Sequence, residues 1–450
     1  MRSKLPDLLV RAAAILGLSV CPSLLAADYA VVVSKSTSTD AAWSPVVAAL
    51  ESKHKAEKIV YEKDPAEAVP ALKKMRPRYV AFVMPSAEAT KEFIVAARQF
   101  MRTLDDDPYT DAFWGVVTGF TAEDALAAAK EESPFVIHKV AAATEFSMAH
   151  CEEGVAFDEL KAGKVVRKAK GGQPVEEKGP ADSVKGMVDM LNDYKPDLFI
   201  TSGHASERDW MLGYSYRNGV FRSKAGQMSG FDLQNQKFDL KSPNPKVYMA
   251  VGNCLMGHID GPDAMALAWM HSVGVRQMLG YLEPSWFGYM GWGCLDYFVE
   301  QPGRYTYTEA FYANEAALIQ RLTNLTADQK GDQRGLEFDR DHVAFYGDPA
   351  WEARLAPGPL QWKQTLTEEK GRLVLVIDPL LGDQSFETVN KNGSQRGGRP
   401  IVQFLAKRID PAKAKVTEGA DFKPVVTDDF ILIPRPEKAG KPIRIVVEGI

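Results

Sequence analysis

Two residues of this chain have the chemistry of an acyl-transfer pair. Histidine as a residue type titrates near neutrality, so His204 suits a general base, and Cys254 offers a thiol that becomes a nucleophile once deprotonated. They stand 254 − 204 = 50 residues apart. Each follows an apolar, strand-like run: Leu198 to Thr201 precedes Ser202-Gly203-His204, and Val247 to Val251 precedes Gly252-Asn253-Cys254. Glycine at 203, 252 and 257 permits sharp turns and close approach of a substrate backbone. A His or a Cys at a strand end is also a common packing residue, and a free Cys often acts as a small hydrophobe. The glycine-flanked strand-end setting favours the chemical reading.

The elements around these residues follow an α/β pattern. Tyr29 to Val33, Ile59 to Tyr61 and Tyr79 to Val83 read as strands, with helical segments at Trp43 to Leu50 and Ala66 to Met75 between them. Such alternation predicts βαβ units and a mainly parallel sheet with helices on both faces. Thr121, with Glu123 and Asp124 in the following turn, opens a helix, and Pro134 ends it before a strand at Phe135 to Ile137. Cys151 to Asp182 is rich in Lys, Glu and Gly and reads as an exposed loop or hairpin. The α/β pattern then resumes, with a helix from Pro262 to about Val273 and a strand from Gln277 to Tyr281. In open α/β sheets reactive residues collect at the carboxyl ends of strands, where His204 and Cys254 are expected. Beyond the Ala356-Pro357-Gly358-Pro359 linker, the runs at Leu373 to Ile377, Ile401 to Leu405, Asp429 to Ile433 and Ile443 to Val447 predict a β-sandwich.

The motif Ser202-Gly203-His204, followed after a long connection by Ala250-Val251-Gly252-Asn253-Cys254-Leu255-Met256-Gly257, resembles the two catalytic motifs of the peptidase clan that holds caspases, legumains, separases and gingipains. Caspases place about 50 residues between His and Cys. Within the clan the chain resembles gingipain-like proteins. Val117-Thr118-Gly119 with Thr121-Ala122-Glu123-Asp124-Ala125 is similar to a segment upstream of their histidine. Phe345-Tyr346-Gly347-Asp348-Pro349-Ala350 is similar to the sequence that closes their catalytic domains. The likeness covers about Tyr29 to Leu355 in outline, and its sharp part is residues 197–294. It implies a caspase-like α/β fold with a C-terminal immunoglobulin-like β-sandwich. The expected domains are 28–150 and 151–355 for the two α/β subdomains and 360–450 for the sandwich. It further implies a cysteine endopeptidase acting through an acyl-enzyme. Cys254 is the nucleophile, His204 the general acid/base, and the backbone N–H groups of Cys254 and Ala205 the oxyanion donors. The family motif carries glycine after the histidine; Ala205 keeps the donor provided its φ stays negative.

Residues 1–27 read as an export signal, with Arg2, Lys4 and Arg11 before an apolar stretch and Ala26-Ala27 at its end. That predicts a secreted, periplasmic or surface protein with no membrane span after signal removal. Net charge is −5, from 54 basic and 59 acidic side chains, which lacks the basic footprint of a nucleic-acid binder. The expected partner is a protein or peptide substrate, and the chemistry needs no cofactor. Of the four cysteines, Cys21 lies in the signal, so Cys151, Cys254 and Cys294 leave at least one thiol free or paired between chains. Trp286, Tyr289 and Trp292, spaced by glycines, read as a substrate-pocket wall or a core-facing loop, with Glu283 positioned to select a basic side chain. Cys294 reads as structural. Glu207 and Asp209 read as a carboxylate orienting the imidazole or as solvated loop charges. Two alternatives accompany the peptidase: an inactive relative that binds peptide or surface material, and a zinc-dependent hydrolase using Cys254 and His258, one helical turn apart.

Overall fold

The structure is a computed structural model that describes residues 28–391, 395–438 and 440–450. The proposed signal, residues 1–27, lies outside the described residues.

A 12-stranded sheet forms the α/β body. From one edge its strands run Glu57–Tyr61, Tyr29–Ser34, Tyr79–Val83, Phe113–Val117, Val343–Tyr346, Val275–Tyr281, Lys246–Asn253, Leu198–Gly203, Lys139–Ala143, Glu153–Phe157, Lys164–Lys168 and Val175–Lys178. All pairings are parallel except three: Val343–Tyr346 against Val275–Tyr281, and the two pairings of the last three strands. The central strands read as unbroken apolar runs because both faces are covered. Tyr29–Ser34, Phe113–Val117 and Leu198–Gly203 are buried at every position, as expected where helices pack on each side of a parallel sheet. The α/β class and the mainly parallel sheet are therefore observed.

The sheet runs through the boundary expected at residue 150. Lys139–Ala143 pairs with Leu198–Gly203, and Val343–Tyr346 bridges to Phe113–Val117 at a single residue pair, Tyr346 with Val116. Cys151 to Asp182 takes the hairpin form. Its outermost strand, Val175–Lys178, is exposed at every residue, and Lys164 and Arg167 pair with Glu176 and Glu177 across it. Charged side chains on such an edge discourage pairing with another chain.

Thr121 caps the helix Ala122–Lys130, and its N–H donates to Asp124 at 2.9 Å. The segment after Trp286 is a helix, Tyr289–Phe298, where glycine-spaced aromatics had suggested a loop. Its glycines serve contact: a Cβ on Gly291 would lie 2.1 Å from the Val251 carbonyl oxygen. The helix is thereby pressed onto the strand that leads to Cys254.

The C-terminal region forms two small antiparallel sheets. One has four strands, Trp362–Glu369, Arg372–Pro379, Ile443–Glu448 and Lys415–Glu418; the other has three, Ile401–Phe404, Phe430–Ile433 and Val425–Val426. Leu375, Ile445 and Val447 from the first and Ile401, Ile431 and Ile433 from the second share one apolar cluster. The polar strand Trp362–Glu369 lacked any apolar alternation to announce it. This unit is joined firmly to the body. Arg396 pairs with Asp296 and Glu300 at 2.6 Å each, with all three side chains nearly excluded from solvent. Arg399 stacks 3.7 Å over the Tyr289 ring.

Candidate active site

The strand Leu198–Gly203 delivers His204. Gly203 has φ +112°, and a Cβ there would lie 2.5 Å from the Met211 carbonyl oxygen, so the turn accepts only glycine. After it the chain folds back. Met211 donates its N–H to the His204 carbonyl at 2.9 Å, and Ser206 donates to Asp209 at 2.8 Å. Ala205 faces Trp210 inside this small hairpin. The two bonds leave it in a non-hydrogen-bonded pair, and among the described residues no acceptor takes its N–H. Ala205 is absent from the left-handed backbone positions, so alanine is unstrained where the resembled motif carries glycine.

The strand Lys246–Asn253 delivers Cys254, which opens a turn through Gly257. Leu255 has φ +56°. A left-handed conformation costs a leucine about 1 kcal/mol or more, and such strain gathers at functional sites. Close approach holds the turn in place: a Cβ on Gly257 would lie 2.3 Å from the Gly280 carbonyl oxygen.

The two strands are adjacent and parallel, and Gly203 stands opposite Asn253. His204 and Cys254 therefore leave neighbouring strands at the same carboxyl edge. No hydrogen bond joins them among the described residues. His204 is exposed and Cys254 half-buried, with its Sγ 3.9 Å from the Ser285 carbonyl oxygen. Catalytic hydrogen bonds are often long before substrate binds.

The other two thiols among the described residues are buried. All three are free, but burial pushes Cys151 up to about 12 and pushes Cys294 higher still, with Asp296 adding to the rise. Cys254 alone of the three is partly open to solvent.

Two further residues organise the strand ends. The register shifts between Thr201 and Ser202, and Tyr214 fills the opening. Its hydroxyl accepts from the Gly203 N–H and donates to the Gly252 carbonyl, each at 3.1 Å. Its ring meets the His204 imidazole edge-on at 5.3 Å. Below them, buried Asn253 accepts from Thr201 at 2.6 Å and donates to the Gly203 carbonyl at 3.4 Å. Asn253 sits inside the recognised motif, but its cross-strand bonds depend on register. Tyr214 lies in an aperiodic run, and no spacing signal points to it.

The expected substrate residues fall in different places. Trp286 is 54% exposed and rests on Phe287 and Phe338. Tyr289 and Trp292, expected on a pocket wall, are 3% and 6% exposed, because the helix carrying them packs into the core. Trp292 lies beneath Gly252, where a Cβ would approach it to 2.9 Å. Glu283 has an internal partner, Lys91, at 2.8 Å. Neither nearby carboxylate orients the imidazole: Glu207 pairs with His258 at 3.2 Å and Asp209 with Arg222 at 2.6 Å. Among the described residues, the group of carboxylate, His or Cys ligand atoms close enough to share a metal is Asp105, Asp107 and Asp111, and neither Cys254 nor His258 belongs to such a group.

Among the described residues no helix is long and apolar enough to cross a membrane. No family model matches the chain, and no curated protein matches it.

Proposed function

We propose that this chain is an exported cysteine endopeptidase of the gingipain-like kind, with a caspase-like body and an immunoglobulin-like C-terminal unit. The observation that carries the reading is the pairing of Gly203 with Asn253, which brings His204 to the same carboxyl edge of the sheet as Cys254, the one partly exposed thiol among the described residues. Cys254 attacks the scissile carbonyl, and the N–H groups of Ala205 and Cys254 receive the oxyanion. His204 takes the thiol proton and passes it to the leaving amine. Water then releases the acyl group. Trp286, which follows the Ser285 whose carbonyl lies 3.9 Å from the thiol, offers an exposed aromatic face to the substrate.

The test is the rate of Cys254 alkylation by iodoacetamide across pH, in the native chain and in His204→Ala. Rapid labelling below pH 7 that the substitution abolishes is the expected result. Labelling only near the ordinary thiol value of about 8.5, indifferent to His204→Ala, overturns the dyad and favours an inactive relative that binds peptide.

Tyr214→Phe removes one hydroxyl that bridges both strand ends. With each hydrogen bond contributing about 1 kcal/mol, the expected outcome is roughly a tenfold slower alkylation below pH 7 with the fold intact. A rate equal to native shows that the bridge does not hold the dyad.

A further inference from the structure

The two loops leaving the dyad are tied to each other by their charges. Glu207, three residues after His204, faces His258, four residues after Cys254, with Oε1 3.2 Å from Nδ1. Arg208 grips Asp260 with both ends of its guanidinium, Nη1 to Oδ1 at 2.5 Å and Nη2 to Oδ2 at 2.9 Å. The signs alternate around the group. The Asp260 hydrogen bond raises Arg208, and Glu207 and Asp263 add to the rise. The Arg208 hydrogen bond and charge in turn hold Asp260 below the usual carboxylate range against the opposing effect of burial, with His258 contributing. The backbones follow: the Met265 N–H donates to the Glu207 carbonyl at 2.7 Å.

This arrangement meets a need of the site. Among the described residues no carboxylate bonds to the His204 ring, so its placement relative to Cys254 depends on how the loops are held. An ion pair at this exposure, 37% for Arg208 and 33% for Asp260, adds little to global stability. A geometric role remains for a bidentate pair, whose fork fixes orientation as well as distance.

We infer that Glu207–His258 and Arg208–Asp260 form a clamp between the two loops and are positioning residues that keep His204 within proton-transfer reach of Cys254. The inference rests on the dyad reading above.

The experiment uses the full chain with Arg208→Glu, Asp260→Arg and the double reversal, plus the near-isosteric Asp260→Asn in case a reversed charge impairs folding. The readouts are the pH profile of Cys254 alkylation and the thermal midpoint. Each reversal is expected to slow labelling below pH 7 by about 10- to 100-fold, as misplacement of a reacting pair does, with the midpoint unmoved. Asp260→Asn moves the rate the same way by less. The double reversal restores the pair and is expected to return the rate to within about threefold of native, since contacting charges couple. Single variants as reactive as native, or a double no better than the singles, overturn the clamp while leaving the dyad standing. A native thiol that titrates at its ordinary value and ignores His204→Ala overturns both.

Discussion

On the dyad reading, Cys254→Ala and His204→Ala are each expected to remove nearly all peptide hydrolysis. A nucleophile and its base act as one unit. Losing either costs on the order of 10⁴- to 10⁶-fold in kcat, and losing both costs little more than losing one. The double variant is therefore expected to match Cys254→Ala. The small residual rate over water would come from the oxyanion donors and substrate binding. Because His204 is exposed and Cys254 lies at the end of a strand, neither substitution opens a core cavity, and both variants are expected to keep the native fold. The measurement is turnover of a fluorogenic peptide library by native and variant protein. Equal turnover in Cys254→Ala and native would place catalysis elsewhere. No turnover by any of them, with folding intact, would favour a peptide-binding relative.

Asp348→Asn is expected to be the most destabilising single polar substitution in the body. The Asp348 side chain is fully buried and accepts from Tyr29 at 2.8 Å, Ala350 N–H at 3.0 Å, Lys53 at 3.0 Å and His54 at 2.8 Å. Tyr29 lies on the first strand and Lys53 and His54 at the end of the helix Ser44–His54, so one carboxylate ties residues 347–350 to the start of the body. Asparagine preserves the volume and removes the charge. Removing one partner of a buried charge cluster costs about 3–5 kcal/mol, measurable by denaturant unfolding. The pH dependence has a defined sign. Burial raises the carboxyl, but the hydrogen bond and charge of His54 and the charge of Lys53 outweigh it and hold Asp348 below the usual carboxylate range. A depressed folded value means the stabilisation is fully present above the unfolded value, about 3.9, and is lost as pH falls through the folded one. The gap between native and Asp348→Asn should thus be constant at neutral pH and close below about pH 4. A gap that persists undiminished at lower pH would assign the loss to packing and not to charge.

The same residue shows how sequence and structure divide the explanation. Gly347-Asp348-Pro349 stood out by its resemblance to a closing motif, and nothing in the sequence said what the aspartate held. Its partners Tyr29, Lys53 and His54 come from about three hundred residues earlier in the chain. Such a contact depends on strand order, which no local pattern encodes. The glycines behave alike. Those at 291 and 293 argued locally for a loop, yet they lie in a helix because the neighbouring strand and Arg399 occupy the space where side chains would stand.

What the sequence by itself determined was the set of reactive residue types, the strands that carry them and the α/β alternation around them. These are written in apolar runs, caps and glycine positions that act over a few residues. Tertiary structure alone decided which thiol stays open to solvent, which aromatics sink into the core, that Tyr214 and Asn253 join the two strand ends, and that the charged loops close on each other. Each of these depends on register between distant strands, and a shift of one residue would turn the same side chains to the opposite face.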